Sequence, residues 1–287
     1  MTGQGGVTAG GVPESELEEL EAQAKLTLTL RVTGVRADGF HLLESEMVTL
    51  DLADSLFVGH GNALHVVTEF ADDATRLAGT AATAESGAVP VGPDNLVARA
   101  LAAVQRTARV DLVKRIPPGA GLGGGSADAA AILRWAGCTD IALAAGLGAD
   151  VPFCLNGGRA TVRGIGDELS PLAHEARRFV LLLLPFGVDT GAVYRAWDEL
   201  AERDALPAAG TTSNDLEAAA LLVEPRLAHW KACFEQAAGR TPHLAGSGST
   251  WFIDGGPDES DIGNAPWLDM GDQRGLLVPV STTAPLR

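Results

Sequence analysis

"IPPGAGLGGGSADAAA", residues 116–131, places five glycines within its first ten positions and then turns alanine-rich. Gly119, Gly121 and Gly124 satisfy the spacing G-x-G-x-x-G. A dinucleotide fold would add a preceding strand, a following helix and an acid at the end of the next strand, about 20 residues on. The strand "RVDLVKRI" and the alanine-rich helix meet the first two conditions. The third fails, because Thr139 and Asp140 fall between helical segments. A Walker loop needs a lysine after its last glycine, and Gly125 and Ser126 stand there instead. The physics of the stretch survives both exclusions. Glycines let backbone N–H groups approach a ligand without a Cβ in the way. The helix that starts near Ser126 adds its positive end at the same point. The stretch therefore reads as a phosphate-binding loop that needs no lysine of its own.

The rest of the composition limits what that phosphate belongs to. The chain has 287 residues, 46% of them apolar, with a mean hydropathy of +0.13, so it is long enough and apolar enough for a large core. Its formal charge is −16, which argues against nucleic acid as a partner. Much of the acidity lies at the ends. Residues 1–22 hold five Glu and no Lys or Arg, and residues 251–287 hold six acids against two Arg. An anionic ligand in the middle of the chain stays compatible with the charge. The longest apolar run, "FVLLLLP" at 179–185, is far short of the ~20 residues of a membrane span and reads as a buried strand. Cys138, Cys154 and Cys233 lack metal or redox spacing. They read as reduced thiols of a cytoplasmic protein.

The order of elements predicts an α+β fold. Residues 1–23 read as a disordered acidic tail, with a short helix as the alternative for 14–23. Strands follow at "KLTLTLRV", "MVTLDL", "DSLFVGHG" and "ALHVVTEF". "GPDNLVARALAAVQRT" reads as a helix capped by Asp94 or Asn95. "LGADVPFCL" reads as a loop. Helices are expected over 189–200 and 214–237, the second broken near Pro225. The segment after about 254 reads as a polar tail with one strand at "GLLVPV". The expected division is an N-terminal domain over 24–155 and a C-terminal domain over 156–287.

Five further segments stand in a fixed order around the glycine loop. They are "AKLTLTLRVTGVRADGFH" from residue 24, "DNLVARA" from 94, "LGADVPF" from 147, "SNDLE" from 213 and "AGSGSTWF" from 245. With "PPGAGLGGGSADAAA" they resemble the motifs of the GHMP kinases, the family of galactokinase, homoserine kinase and mevalonate kinase. The resemblance covers about 24–254 and is nearest to the branch that phosphorylates a cytidyl-bearing alcohol. It implies a two-lobed fold with a central cleft for substrate and ATP, and ATP-dependent transfer to a hydroxyl. By the same resemblance Asp150 is the base and Lys25 its partner. Pro117, Gly119, Ala120, Gly121, Leu122, Gly123, Gly124, Gly125 and Ser126 would cradle ATP, with Asn95 and Leu96 near adenine and Ser126 near Mg²⁺. Phe40 and Tyr194 would stack on cytosine, and His41 would bond its edge. Thr27, Gly246, Ser247 and Gly248 would border the substrate.

Three positions depart from the family pattern. Thr27 replaces an asparagine, which predicts a lost or water-mediated hydrogen bond at the substrate. Gln23 replaces a proline. The segment 132–147 is short by about a helical hairpin, which predicts a less buttressed loop helix and a displaced Asp150. Two alternatives therefore stay open: another small-alcohol kinase of the family, or a nucleotide-binding homologue with weakened catalysis. Monomer and homodimer are equally compatible with the sequence.

Overall fold

The computed structural model describes residues 17–69, 89–208, 210–262, 265–271 and 273–285. Two long strands open the fold, β1 (Glu18–Val35) and β2 (His41–Gly59), and β3 (Ala63–Thr68) follows. Then come α1 (Leu96–Ala103), β4 (Arg109–Lys114), α2 (Gly124–Trp135), α3 (Ile141–Leu147) and α4 (Val151–Asn156). β5 (Arg159–Gly164), β6 (Glu168–Pro171) and β7 (Arg178–Leu183) lead to α5 (Thr190–Glu202), α6 (Glu217–Val223) and α7 (Arg226–Ala238). β8 (His243–Leu244), β9 (Trp251–Asp254), β10 (Trp267–Met270) and β11 (Gln273–Ser281) complete it.

The strands form two sheets. In the first, β1 pairs along β2, and β2 also pairs with β5 through Leu43–Val48 and with β4 through Ser55–Gly59. β3 adds parallel to β4, and β6 adds to β5. The second sheet runs β10-β11-β7-β9-β8. Three apolar clusters hold these layers. One packs α1 to α4 on the first sheet, around Leu112, Ile132 and Phe153. Another packs α5 to α7 on the second, around Trp230, Phe234 and Trp251. The third lies between the sheets, where Leu26, Val48 and Leu50 meet Phe179, Leu181 and Phe252. Ile116, Ala120 and Leu122 belong to that third cluster, so the glycine loop runs along the seam.

The α+β class expected from the element order is found, and four local expectations are corrected. Residues 18–23 are strand, not tail or helix: Glu18 pairs with Val58 and Gln23 with Ala53. Leu20, Ala22 and Ala24 alternate with Glu19, Glu21 and Gln23, the period of a strand with one buried face, and Ala22 and Ala24 are fully buried. Residues 1–16 of the expected tail lie outside the described residues. "LGADVPFCL" is not a loop. It carries α4, whose Pro152 sits in the first turn, where a missing N–H costs nothing. In the expected polar tail after 254, the strand expected at "GLLVPV" is found as β11, against β7 through Leu276–Ser281, and β10 is a second strand that was not expected. The first sheet also continues past the expected boundary at 155, because β5 and β6 join it.

Candidate active site

The seam opens into a cleft of about 440 Å³. Its floor is the glycine loop and the start of α2, and its walls come from β1, α1, the approach to α4 and the start of α5. The loop is fixed from both sheets through its carbonyls. Leu122 O accepts from Lys25 N at 3.0 Å, Gly119 O from Val188 N at 3.0 Å, and Ala120 O from Thr250 N at 3.2 Å. Two glycines are required by what lies above them. A Cβ on Gly121 (φ +76°) would stand 2.2 Å from the Ala245 carbonyl oxygen, and one on Gly123 (φ +68°) 2.8 Å from Lys25 Cγ. Gly123 then caps α2 in the left-handed conformation. The first-turn N–H groups of α2 have no intrahelical partner, and Gly124, Gly125 and Ser126 present them at the cleft.

Lys25 and Asp150 meet beside this loop. Lys25 comes from β1 and is 4% exposed. Asp150 immediately precedes α4. Their Nζ and Oδ2 atoms are 3.4 Å apart. The short segment 132–147 therefore does not displace Asp150. Asp140 caps α3 by accepting from Ala142 N and Leu143 N, and the single helix α3 spans the distance. Thr27 is buried, and its hydroxyl accepts from Lys25 Nζ at 3.1 Å. The departure at this position thus keeps a hydrogen bond to the ammonium.

The remaining expected residues divide into those at the cleft and those outside it. Pro117, Ala120, Leu122, Leu96, Asn95, Tyr194 and Ser247 line it. Asn95, however, spends its amide on the backbone: it accepts from Val97 N at 2.8 Å and donates to Pro90 O at 2.6 Å. Its work here is capping α1. Ser247 Oγ pairs with Thr190 Oγ1 at 2.8 Å. Gly246 is pinned through its carbonyl, which accepts from Asn214 Nδ2 at 2.6 Å. Gly248 faces Leu244, Val188 and Leu227 rather than the cleft. Phe40 lies at the β1–β2 turn, 59% exposed, and is not brought to the cleft. His41 stands behind Tyr194, ring centroids 4.7 Å apart, with Nε2 2.7 Å from Asp198 Oδ1. Burial, with the Asp150 charge adding, pushes the Tyr194 phenol well above its ordinary range. Burial likewise pushes the Cys154 thiol up to about 12, so it is no nucleophile for this site.

Sequence reasoning gave no role to Asn214, Thr190, Asp198 or the buried group Asp54, Lys114 and Asp128. Asn214 and Asp128 sat inside quoted motifs. Thr190, Asp198, Asp54 and Lys114 carry no local signal, because Ser247, His41 and, for the last two, each other lie more than fifty positions away. Burial disfavours the Lys114 ammonium, but Asp128 and Asp54 outweigh it and hold the lysine above its ordinary value.

A cleft with a phosphate-ready floor and an ammonium–carboxylate pair on its wall can hold a nucleotide tail and orient a hydroxyl toward it. Comparison with known proteins agrees with that chemistry. Residues 95–158 match the family described as "GHMP kinases N terminal domain". The chain is similar to the 4-diphosphocytidyl-2-C-methyl-D-erythritol kinase of Paracoccus denitrificans, 39% identical over 80% of this chain and 84% of that protein. It is 38% identical to the kinase of the same name from Cereibacter sphaeroides, over 82% and 88%. Among solved structures, it matches a 4-(cytidine 5'-diphospho)-2C-methyl-D-erythritol kinase with a TM-score of 0.66 and 31% identity, over 93% of this chain and all of that one. A mevalonate kinase at 9% identity and a TM-score of 0.55 shares the fold.

Proposed function

We propose, from the premise that this chain belongs to the 4-diphosphocytidyl-2-C-methyl-D-erythritol kinases of the GHMP family, that it transfers the γ-phosphoryl group of ATP to the 2-hydroxyl of that cytidyl alcohol. The reaction supplies an isoprenoid precursor route. The observation that carries the reading is the Lys25–Asp150 pair, 3.4 Å apart beside a glycine loop held from both sheets.

The backbone of Gly119 to Ser126 receives the phosphates, and Leu96 offers an apolar edge to adenine. Asp150 accepts the hydroxyl proton and orients the alcohol oxygen. Lys25 pairs with that carboxylate and offsets charge on the transferred group. Thr27 steadies Lys25. Tyr194, backed by His41, gives the cytidyl end an aromatic wall. Ser247 and the Gly246 backbone border the substrate opposite the loop.

Among the described residues no cluster of three or more His, Cys, Asp or Glu side chains could hold a metal ion. The cleft's own candidates, the Ser126 hydroxyl and the Asp150 carboxylate, are oxygen donors, which suit Mg²⁺ arriving on the nucleotide. When bound, the ion neutralises phosphate charge. The free thiols of Cys138, Cys154 and Cys233 support a reducing, cytoplasmic setting. Among the described residues no helix is long and apolar enough to cross a membrane.

Asp150→Asn tests the assignment. It should bind ATP as the parent does, by calorimetry, and lose turnover by about a hundredfold or more. A near-parental rate would remove Asp150 from the role of base.

A further inference from the structure

Three charged side chains under the cleft are unused by the chemistry above. Lys114 ends β4, just before the loop. Its Nζ donates to Asp128 Oδ2 at 2.7 Å and to Asp54 Oδ2. Lys114 and Asp128 are 3% exposed and Asp54 is 0% exposed. Asp54 reaches in from β2, and its Oδ1 accepts from the backbone N–H of Arg115 and, at 2.8 Å, of Ile116. These two residues lead the chain into the loop. Asp128 stands one turn into α2, which leads the chain out. A Cβ on Gly124 would lie 3.1 Å from Lys114 Nζ, so the ammonium packs directly beneath the junction of loop and helix. Buried charges are tolerated only when paired and hydrogen-bonded. Lys114 therefore depends on both carboxylates, and each carboxylate on Lys114.

We propose that Asp54, Lys114 and Asp128 form a buried staple that ties the two ends of the phosphate loop together and sets its affinity for nucleotide. The inference rests on the reading of the loop as an ATP site. A loop held in its binding conformation before the ligand arrives spends less of the interaction on ordering itself. Lys114 and Asp128 border the cleft, but Asp54 is absent from its lining. Asp54 is thus a positioning residue. Any effect it has on nucleotide must pass through the loop, whereas an effect of Lys114 could include direct contact.

Asp54→Asn in the full chain is the discriminating variant. It keeps the side chain's size and an acceptor for the two backbone amides, but removes the charge that holds Lys114. ATP affinity is measured by calorimetry without the alcohol, then KM for ATP and for the alcohol separately. The parent is the control on the ATP reading: a parent that does not bind ATP removes that reading and the staple with it. With a binding parent, Asp54→Asn should bind ATP about tenfold more weakly, with a parallel rise in the KM for ATP. Its KM for the alcohol should stay near the parental value. Asp128→Asn leaves Lys114 an amide oxygen and should fall between the two. A folded Asp54→Asn with parental ATP affinity would overturn the staple, as would equal losses for ATP and alcohol. Should Asp54→Asn fail to fold, Asp128→Asn carries the test: parental ATP affinity there overturns the proposal, and weaker ATP binding with an unchanged alcohol KM supports it.

Discussion

Thr27 shows how much a single position owes to its neighbours. Against the family pattern it reads as the loss of an amide and of one hydrogen bond at the substrate. In the fold its hydroxyl accepts from Lys25 Nζ at 3.1 Å, and both side chains are buried. A hydrogen bond to a charged group is worth about 1.5–3 kcal/mol. Thr27→Val keeps the shape and removes the acceptor. We expect its turnover to fall by about tenfold or more, and Thr27→Ser to recover most of the loss. Equal rates for Thr27→Val and the parent would show that Lys25 needs no such support. Lys25, Asp150 and the loop glycines were legible because each sits inside a dense local motif. The partners that hold them were not, since Asp54 and Lys114 are 60 positions apart in the chain.

Among elements, the glycine loop was the most legible and the terminal strands the least. The loop announces itself through composition and through the helix that follows it. β1 was misread at its start because four Glu between residues 16 and 21 dominate the composition there. The informative feature was the two-residue alternation of Leu20, Ala22 and Ala24. β10 was missed because Pro, Gly and Asp crowd the segment around it, and among the described residues its only pairing is with β11. Neither strand has meaning until its neighbour is in place. The loop's own geometry is testable. Gly121→Ala would press a methyl against the Ala245 carbonyl at a positive φ. Left-handed strain and overpacking together should cost about 2–4 kcal/mol, read from denaturant unfolding. A loss below about 0.5 kcal/mol would mean that the loop and the 245–248 turn separate freely.

At the scale of the whole molecule, the cleft exists because two sheets meet face to face over Leu26, Leu50, Phe179 and Phe252. The first sheet delivers Lys25 and Thr27, the helices on it deliver the loop and Asp150, and the second sheet's layer delivers Tyr194 and Ser247. The two-layer plan with a seam between was legible from the order of motifs. The point at which the chain changes sheet was not, because β5 and β6 return to the first layer after α4. Under the proposed function, an acidic chain of charge −16 would receive a polyanionic nucleotide through backbone amides, a helix end and Lys25, rather than through a basic surface. The central claim is that this seam is a kinase site for the cytidyl alcohol. It is tested most directly by measuring ADP release from ATP and Mg²⁺ with 4-diphosphocytidyl-2-C-methyl-D-erythritol, against galactose, homoserine and mevalonate. ADP release with the cytidyl alcohol alone is expected; turnover of one of the other three, or tight ATP binding with no turnover of any, would overturn the assignment.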